Sequence, residues 1–146
     1  MLIRRKLRTG LGLGLAAMIP SFGRVLGATE NHQNNRHQFA AMAGSMRDQA
    51  IASGDQAYGA VVIKDGKIIG LGPSRVVVNI DPTGHAEMEA LRDAARNLGT
   101  HDLAGCEMFT TSPPCRMCET AAYWANIRRI YTGPGAEDRG GPTYGC

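Results

Sequence analysis

His85-Ala86-Glu87, with Pro114-Cys115-Arg116-Met117-Cys118 further along, is the pair of stretches on which the reading of this chain turns. Each opens a predicted helix. From Thr83 or Gly84, the apolar residues Ala86, Met88, Ala90, Leu91, Ala94, Ala95 and Leu98 recur at helical spacing, and Gly99 supplies the stop. Pro113-Pro114 ends what precedes the second helix, which spans about 115–125. A proline just ahead of a helix loses no hydrogen bond. Cys115 and Cys118 are three apart and share a helix face, so together they can grip one ion.

One imidazole and two thiols are borderline or soft ligands that suit zinc, and three protein ligands leave the fourth tetrahedral position open, as in catalytic sites. Helix N-termini present unpaired N–H groups and partial positive charge, so Cys115 and Cys118 are expected to ionise readily even before a metal arrives. Zinc brings the pKa of a bound water down toward neutrality. Glu87, two residues past His85, is placed to take that water's proton and return it to a substrate. Two blander readings compete. His-Ala-Glu alone carries little information, and Cys-x-x-Cys alone fits a redox pair or half of a structural zinc site. A structural site needs a fourth protein ligand, and neither Cys106 nor His101 sits at finger-like spacing from the pair.

Working outward, residues 36–53 place Phe39, Ala40, Met42, Ala43, Met46, Ala50 and Ile51 at roughly helical spacing, weakened by Gly44 and stopped by Gly54. The polar residues 30–36 read as a frayed lead-in. A β-branched run at 58–63, the turn Lys64-Asp65-Gly66-Lys67 and a second run at 67–71 read as a hairpin. Gly72-Pro73-Ser74 breaks it, and 75–82 is a loop in which Val76-Val77-Val78 reads as a short edge strand. Strands follow at 106–111 and 128–131, with loop from 133 onward. The order α-β-β-α-β-α-β implies an α/β sandwich around one sheet.

The chain has 146 residues, enough for one domain with a real core and too few for two, and we bound that domain at 36–146. Its formal net charge of +3 is unevenly spread. Residues 1–28 hold Arg4, Arg5, Lys6, Arg8 and Arg24 and no acid, and the remainder carries 11 basic against 13 acidic residues. Without its first 28 residues the chain is therefore not a polycation, which argues against nucleic acid as its partner. Those residues read as an address label: a charged Arg4-Arg5-Lys6-Leu7-Arg8, an apolar run at 9–19 about half as long as a membrane span, and a small-residue cleavage site at Leu26-Gly27-Ala28. The paired arginines followed by Lys-Leu resemble a twin-arginine signal, with Ile3 where Ser or Thr usually stands. This predicts a periplasmic or secreted protein, with a cytoplasmic one as the alternative, and no stable membrane anchor once the signal is removed; the blander reading of the segment is a disordered or membrane-associated arm that stays attached. Transport in the folded state would deliver the thiols already capped by metal to an oxidising compartment. Cys106, at the head of an apolar strand, reads as a buried small hydrophobe, and Cys146 has no assigned role.

Taken together, Asp81-Pro82-Thr83-Gly84-His85-Ala86-Glu87-Met88, Asp102-Leu103-Ala104-Gly105-Cys106-Glu107, Pro114-Cys115-Arg116-Met117-Cys118 and Tyr123-Trp124-Ala125 resemble the cytidine/deoxycytidylate deaminase superfamily. The H-x-E and P-C-x-x-C pair is the zinc deaminase signature. The chain is most similar to the guanine deaminase and nucleoside deaminase branch, with tRNA adenosine deaminases as close relatives. The resemblance covers about 39–138 and is specific at the two zinc motifs. It implies a three-layer α/β/α sandwich around a mixed five-stranded sheet, usually a homodimer, that hydrolytically releases ammonia from a ring amine of a small nucleobase or nucleoside.

On this resemblance His85, Cys115 and Cys118 hold Zn2+, Glu87 shuttles the proton, and the backbone N–H of Ala86 contacts the ring. Guanine is the first expectation for the substrate. Cytosine- or adenine-type substrates, tRNA adenosine among them, and a non-catalytic zinc-binding relative are the alternatives. Two positions depart from the pattern. Ser74 stands where this branch typically carries a base-contacting asparagine, and Pro113 stands where a glutamate is usual. An ungapped reading from Cys118 lands an assisting aspartate on Asp138. Relatives also continue with further strand or helix past the point where this chain ends at Cys146, and Tyr144 is the only late aromatic here.

Overall fold

A computed structural model of the chain describes residues 23–144, with the side chains of the first helix described from Asn35 onward. The elements run α1 (Gly23–Ala52), β1 (Gly59–Lys64), β2 (Lys67–Pro73), α2 (Ala86–Leu98), β3 (Glu107–Thr110), α3 (Arg116–Trp124), β4 (Arg129–Thr132) and β5 (Glu137–Asp138). The five strands form one sheet in the order β2-β1-β3-β4-β5. Only the β3–β4 pair is parallel, joined by the crossover through α3; the other three pairs are antiparallel.

Alternation along the strands assigns the two faces, because successive side chains of a strand point to opposite sides. Val61, Ile63, Phe109 and Tyr131 face α1, where they pack with Ala40 and Ala43. Ala60, Val62, Met108 and Ile130 face the other way and pack with Ala90 and Leu91 of α2 and Ala122 of α3. With both faces covered, the strands read as continuous apolar runs. The result is the expected three-layer α/β/α sandwich around a mixed five-stranded sheet. On the α1 side Phe109 stacks on Tyr131 at 4.6 Å between ring centroids. Cys106 is fully buried and unpaired, as its apolar setting predicts.

Two glycines set how closely α2 lies on the sheet. A Cβ on Gly70 would meet the carbonyl oxygen of Ala90 at 2.3 Å, and one on Gly72 would meet that of Ala86 at 2.1 Å. The backbone of α2 therefore rests directly on β2. Gly99, at φ 68°, ends α2 in the left-handed conformation that its sequence position predicts.

Three sequence expectations are corrected. Val76-Val77-Val78 is a turn and not an edge strand. The N–H groups of Val77 and Val78 are taken by the Asp55 carboxylate at 2.9 and 2.8 Å, so they find a side-chain acceptor in place of a neighbouring strand. The segment after Gly133 is not all loop: Glu137 and Asp138 pair with Thr132 and Tyr131 to form β5. Two exposed polar residues carry no apolar alternation by which to be found. The polar stretch 30–36 is part of α1 and not a lead-in to it. The address label lies outside the described residues as far as residue 22, and 23–28 form the start of α1. Cys146 also lies outside them. Among the described residues no helix is long and apolar enough to cross a membrane.

Candidate active site

The antiparallel register gathers the site at one end of the sheet. Gly59, at the start of β1, pairs with Pro73 at the end of β2. Ala60 pairs with Thr110 at the end of β3. The segment entering β1 and the segments leaving β2 and β3 therefore meet at one edge. The two outgoing segments run into α2 and α3, so both helix N-termini arrive there too. His85 and Cys115 are the N-cap residues of these helices, each with extended backbone.

The three predicted ligands come together as a triangle. Cys115 Sγ and Cys118 Sγ each lie 3.6 Å from His85 Nδ1, and 3.6 Å from one another. A tetrahedral zinc with Zn–S near 2.3 Å and Zn–N near 2.0–2.1 Å would space its ligand atoms about 3.5–3.8 Å apart. The donor set fits that ion in chemistry and spacing. Among the described residues it is the group of His, Cys, Asp and Glu that could hold a metal. The sulfurs are too far apart for a disulfide, and both cysteines are free.

A cavity of about 470 Å³ opens beside the triangle, lined by Gln56, Tyr58, His85, Ala86, Glu87, Ser112, Pro113 and Cys115. Glu87 is buried at 6% exposure in its wall. Burial pushes its carboxyl upward in pKa, against the opposing pull of its own backbone N–H, the Cys118 thiol and His85. A carboxyl displaced in this direction exchanges protons nearer neutrality than a solvated one does. Ala86 lines the same cavity, and its N–H precedes the internal ladder of α2.

The expectation that both cysteines ionise readily without metal is corrected for Cys118. Burial pushes its thiol well up, reinforced by the Glu87 carboxylate and by Cys115. Cys118 is fully buried, and that burial is the largest cause of the shift. Its thiolate needs the cation beside it.

Two residues named from the sequence stand apart from the cavity. Ser74 is fully buried, its hydroxyl donates to Asp55 Oδ1 at 2.8 Å, and it does not line the cavity. Asp138 lies on β5, exposed, accepting hydrogen bonds from the Arg129 guanidinium and from Gly140 N–H. The Gly140 backbone bond, with the hydrogen bond and charge of Arg129, holds its carboxyl below the usual range against the opposing effect of burial.

The structure also supplies residues that sequence reasoning missed. Asp55 accepts hydrogen bonds from Ser74, Gln56, Val77 and Val78. Burial acts to raise its pKa, and these bonds together outweigh that and bring it to about 2. Asp81 accepts from the Thr83 N–H and hydroxyl, and Arg92 bridges Thr83 to Glu89. This brace fixes the loop just ahead of His85. No sequence motif marks Asp55 or Gln56: a lone Asp-Gln after a helix-stopping glycine reads as ordinary turn.

Such a metal centre, open on one side and backed by a buried carboxyl, is equipped to activate water, and comparison with known proteins agrees. The family model for the cytidine and deoxycytidylate deaminase zinc-binding region matches residues 33–134, and the chain belongs to that family of zinc-binding deaminases. It is similar to the guanine deaminase of Bacillus subtilis, with 43% identity over 74 residues covering 51% of this chain and 47% of that one. It is also similar to the tRNA-specific adenosine deaminase of Aquifex aeolicus, with 39% identity over 82 residues covering 56% of this chain and 54% of the relative. The chain thus spans about half the length of the curated relatives it matches. The crystal structure of the Bacillus subtilis guanine deaminase superposes with a TM-score of 0.64 at 36% identity, over 66% of this chain and 62% of that one.

Proposed function

We propose that this protein is a zinc-dependent hydrolase that deaminates a free purine base, guanine first among them. The observation that carries the reading is the 3.6 Å triangle of His85, Cys115 and Cys118 with Glu87 buried in the wall of the adjoining cavity. Three features favour a free base over tRNA adenosine. The cavity is of small-ligand size. The chain beyond residue 28 carries 11 basic and 13 acidic residues, whereas phosphate contacts dominate nucleic-acid affinity. A guanine deaminase is among the similar relatives, at 43% identity.

In this reading His85, Cys115 and Cys118 hold the zinc. When bound, the zinc acidifies a water at its open position. Glu87 would take one proton from the attacking water and give it to a ring nitrogen, then take the proton of the newly attached hydroxyl and give it to the departing amine. The C–O bond forms, the C–N bond breaks, and ammonia leaves. The Ala86 N–H donates to the ring. Asp138 is proposed as an assisting carboxylate on the family resemblance, and it lies on β5 outside the cavity. Ser74 supports the cavity wall, donating to Asp55, which in turn accepts the Gln56 N–H.

We also propose export by the twin-arginine route and a homodimer. The exposed Trp124, edge-on to Tyr123 at 5.9 Å, offers an aromatic face for the latter. N-terminal sequencing of the exported form should begin near Thr29; an intact Met1 confined to the cytosol contradicts export. Sedimentation should give a dimer, and a monomer at all concentrations contradicts that assembly. The activity is tested by ammonia release from a panel of bases and nucleosides with zinc-loaded protein. Turnover of guanine above the others is expected, and release from tRNA adenosine alone would replace this substrate with the runner-up.

A further inference from the structure

We propose that Gln56 is a specificity-determining residue whose carboxamide binds the edge of the base held over His85 and Glu87. The proposal rests on the deaminase reading of the cavity and deepens it. Once the ligands His85 and Cys115 and the carboxyl of Glu87 are set aside, the polar side chains lining the cavity are those of Gln56, Tyr58 and Ser112. Only Gln56 offers a planar donor and acceptor side by side, which is what the edge of a purine or pyrimidine presents in return.

Its backbone is fixed at both ends. The Gln56 N–H donates to Asp55 Oδ1 at 2.8 Å, and its carbonyl accepts from the Tyr58 N–H at 2.7 Å. Its carboxamide makes no hydrogen bond with the described residues and is free for a ligand. Asp55 Oδ1 also accepts the Ser74 hydroxyl. One carboxylate oxygen thus keeps the serine out of the cavity and fixes the glutamine in its wall. Ser74 has no hydrogen left for the base.

The test uses the zinc-loaded full chain and its Gln56→Ala, Gln56→Asn and Gln56→Glu variants. Steady-state kinetics are run on every base that wild type deaminates, and base binding is measured by calorimetry in a Glu87→Ala background. Gln56→Ala should raise KM and Kd about fivefold to tenfold, the effect of a lost ligand hydrogen bond, with kcat changed less than about threefold. Gln56→Asn should recover part of the loss. Gln56→Glu, isosteric but acceptor-only, should reorder the bases. Unchanged KM and unchanged base ranking in Gln56→Ala, with wild type active, overturn the role of Gln56 and leave the deaminase reading standing. Ammonia from no base or nucleoside sinks the deaminase reading itself. Calorimetry then decides separately: base binding that Gln56→Ala weakens by that factor upholds the recognition role, and binding that it does not weaken, or no binding at all, overturns it.

Discussion

Glu87 and Asp55 are both carboxylates near the same cavity, and their surroundings drive them in opposite directions. Burial raises Glu87, which suits a group that must both take and give a proton. Glu87→Ala should keep zinc by elemental analysis and lose about 10²- to 10⁴-fold in kcat, the usual worth of a positioned acid–base group; retained turnover would remove Glu87 from the mechanism. Hydrogen bonds from Val78, Ser74, Gln56 and Val77 outweigh the burial of Asp55 and bring it to about 2, below the ordinary 3.8. Its unfolded form therefore binds more protons between those values, and stability rises with pH there. The stabilisation is complete above the unfolded value and is lost as pH falls through about 2. Thermal melts should show Asp55→Asn less stable than wild type at pH 6, with the gap closing between about pH 4 and pH 2. A gap that does not change with pH would show that the carboxylate charge contributes nothing. At this scale the zinc ligands were legible, because the metal demands particular atoms. Asp55 and Gln56 were not, since a turn tolerates many residues and their partners lie up to 23 positions away in sequence.

At the scale of elements, helix starts place the chemistry, and the closeness of α2 to β2 places the helix start. Gly72 has no room for a Cβ against the backbone of Ala86, the residue between His85 and Glu87. Gly72→Ala should cost about 1–3 kcal/mol in denaturant unfolding, as overpacking does, and should weaken zinc retention against a chelator by moving His85. Wild-type stability and zinc retention in that variant would show that the contact does not set the site. Helices α2 and α3 and strands β1 to β4 were readable to within a few residues, because apolar periodicity and glycine or proline stops coincide there. The Val76-Val77-Val78 turn was misread because β-branched residues favour strands, whereas here a distant carboxylate captured their N–H groups. β5 was invisible because pairing with β4, and no local pattern, makes it a strand.

Across the whole molecule, one mixed sheet brings the starts and ends of separate strands to a single edge, so that residues from 56 to 115 line one cavity. An α/β sandwich around one sheet followed from element order, and its three layers from the resemblance to the deaminase superfamily. The register that closes the site depends on which strands pair, and no local run of sequence specifies that. The central claim is that zinc at His85, Cys115 and Cys118 and the carboxyl of Glu87 form one hydrolytic unit. The most direct test measures zinc stoichiometry and ammonia release from guanine on the same preparations of wild type, Glu87→Ala and Cys118→Ser. The account predicts one zinc and turnover in wild type, one zinc without turnover in Glu87→Ala, and neither in Cys118→Ser. Full turnover in a preparation of Cys118→Ser that holds no zinc would contradict it.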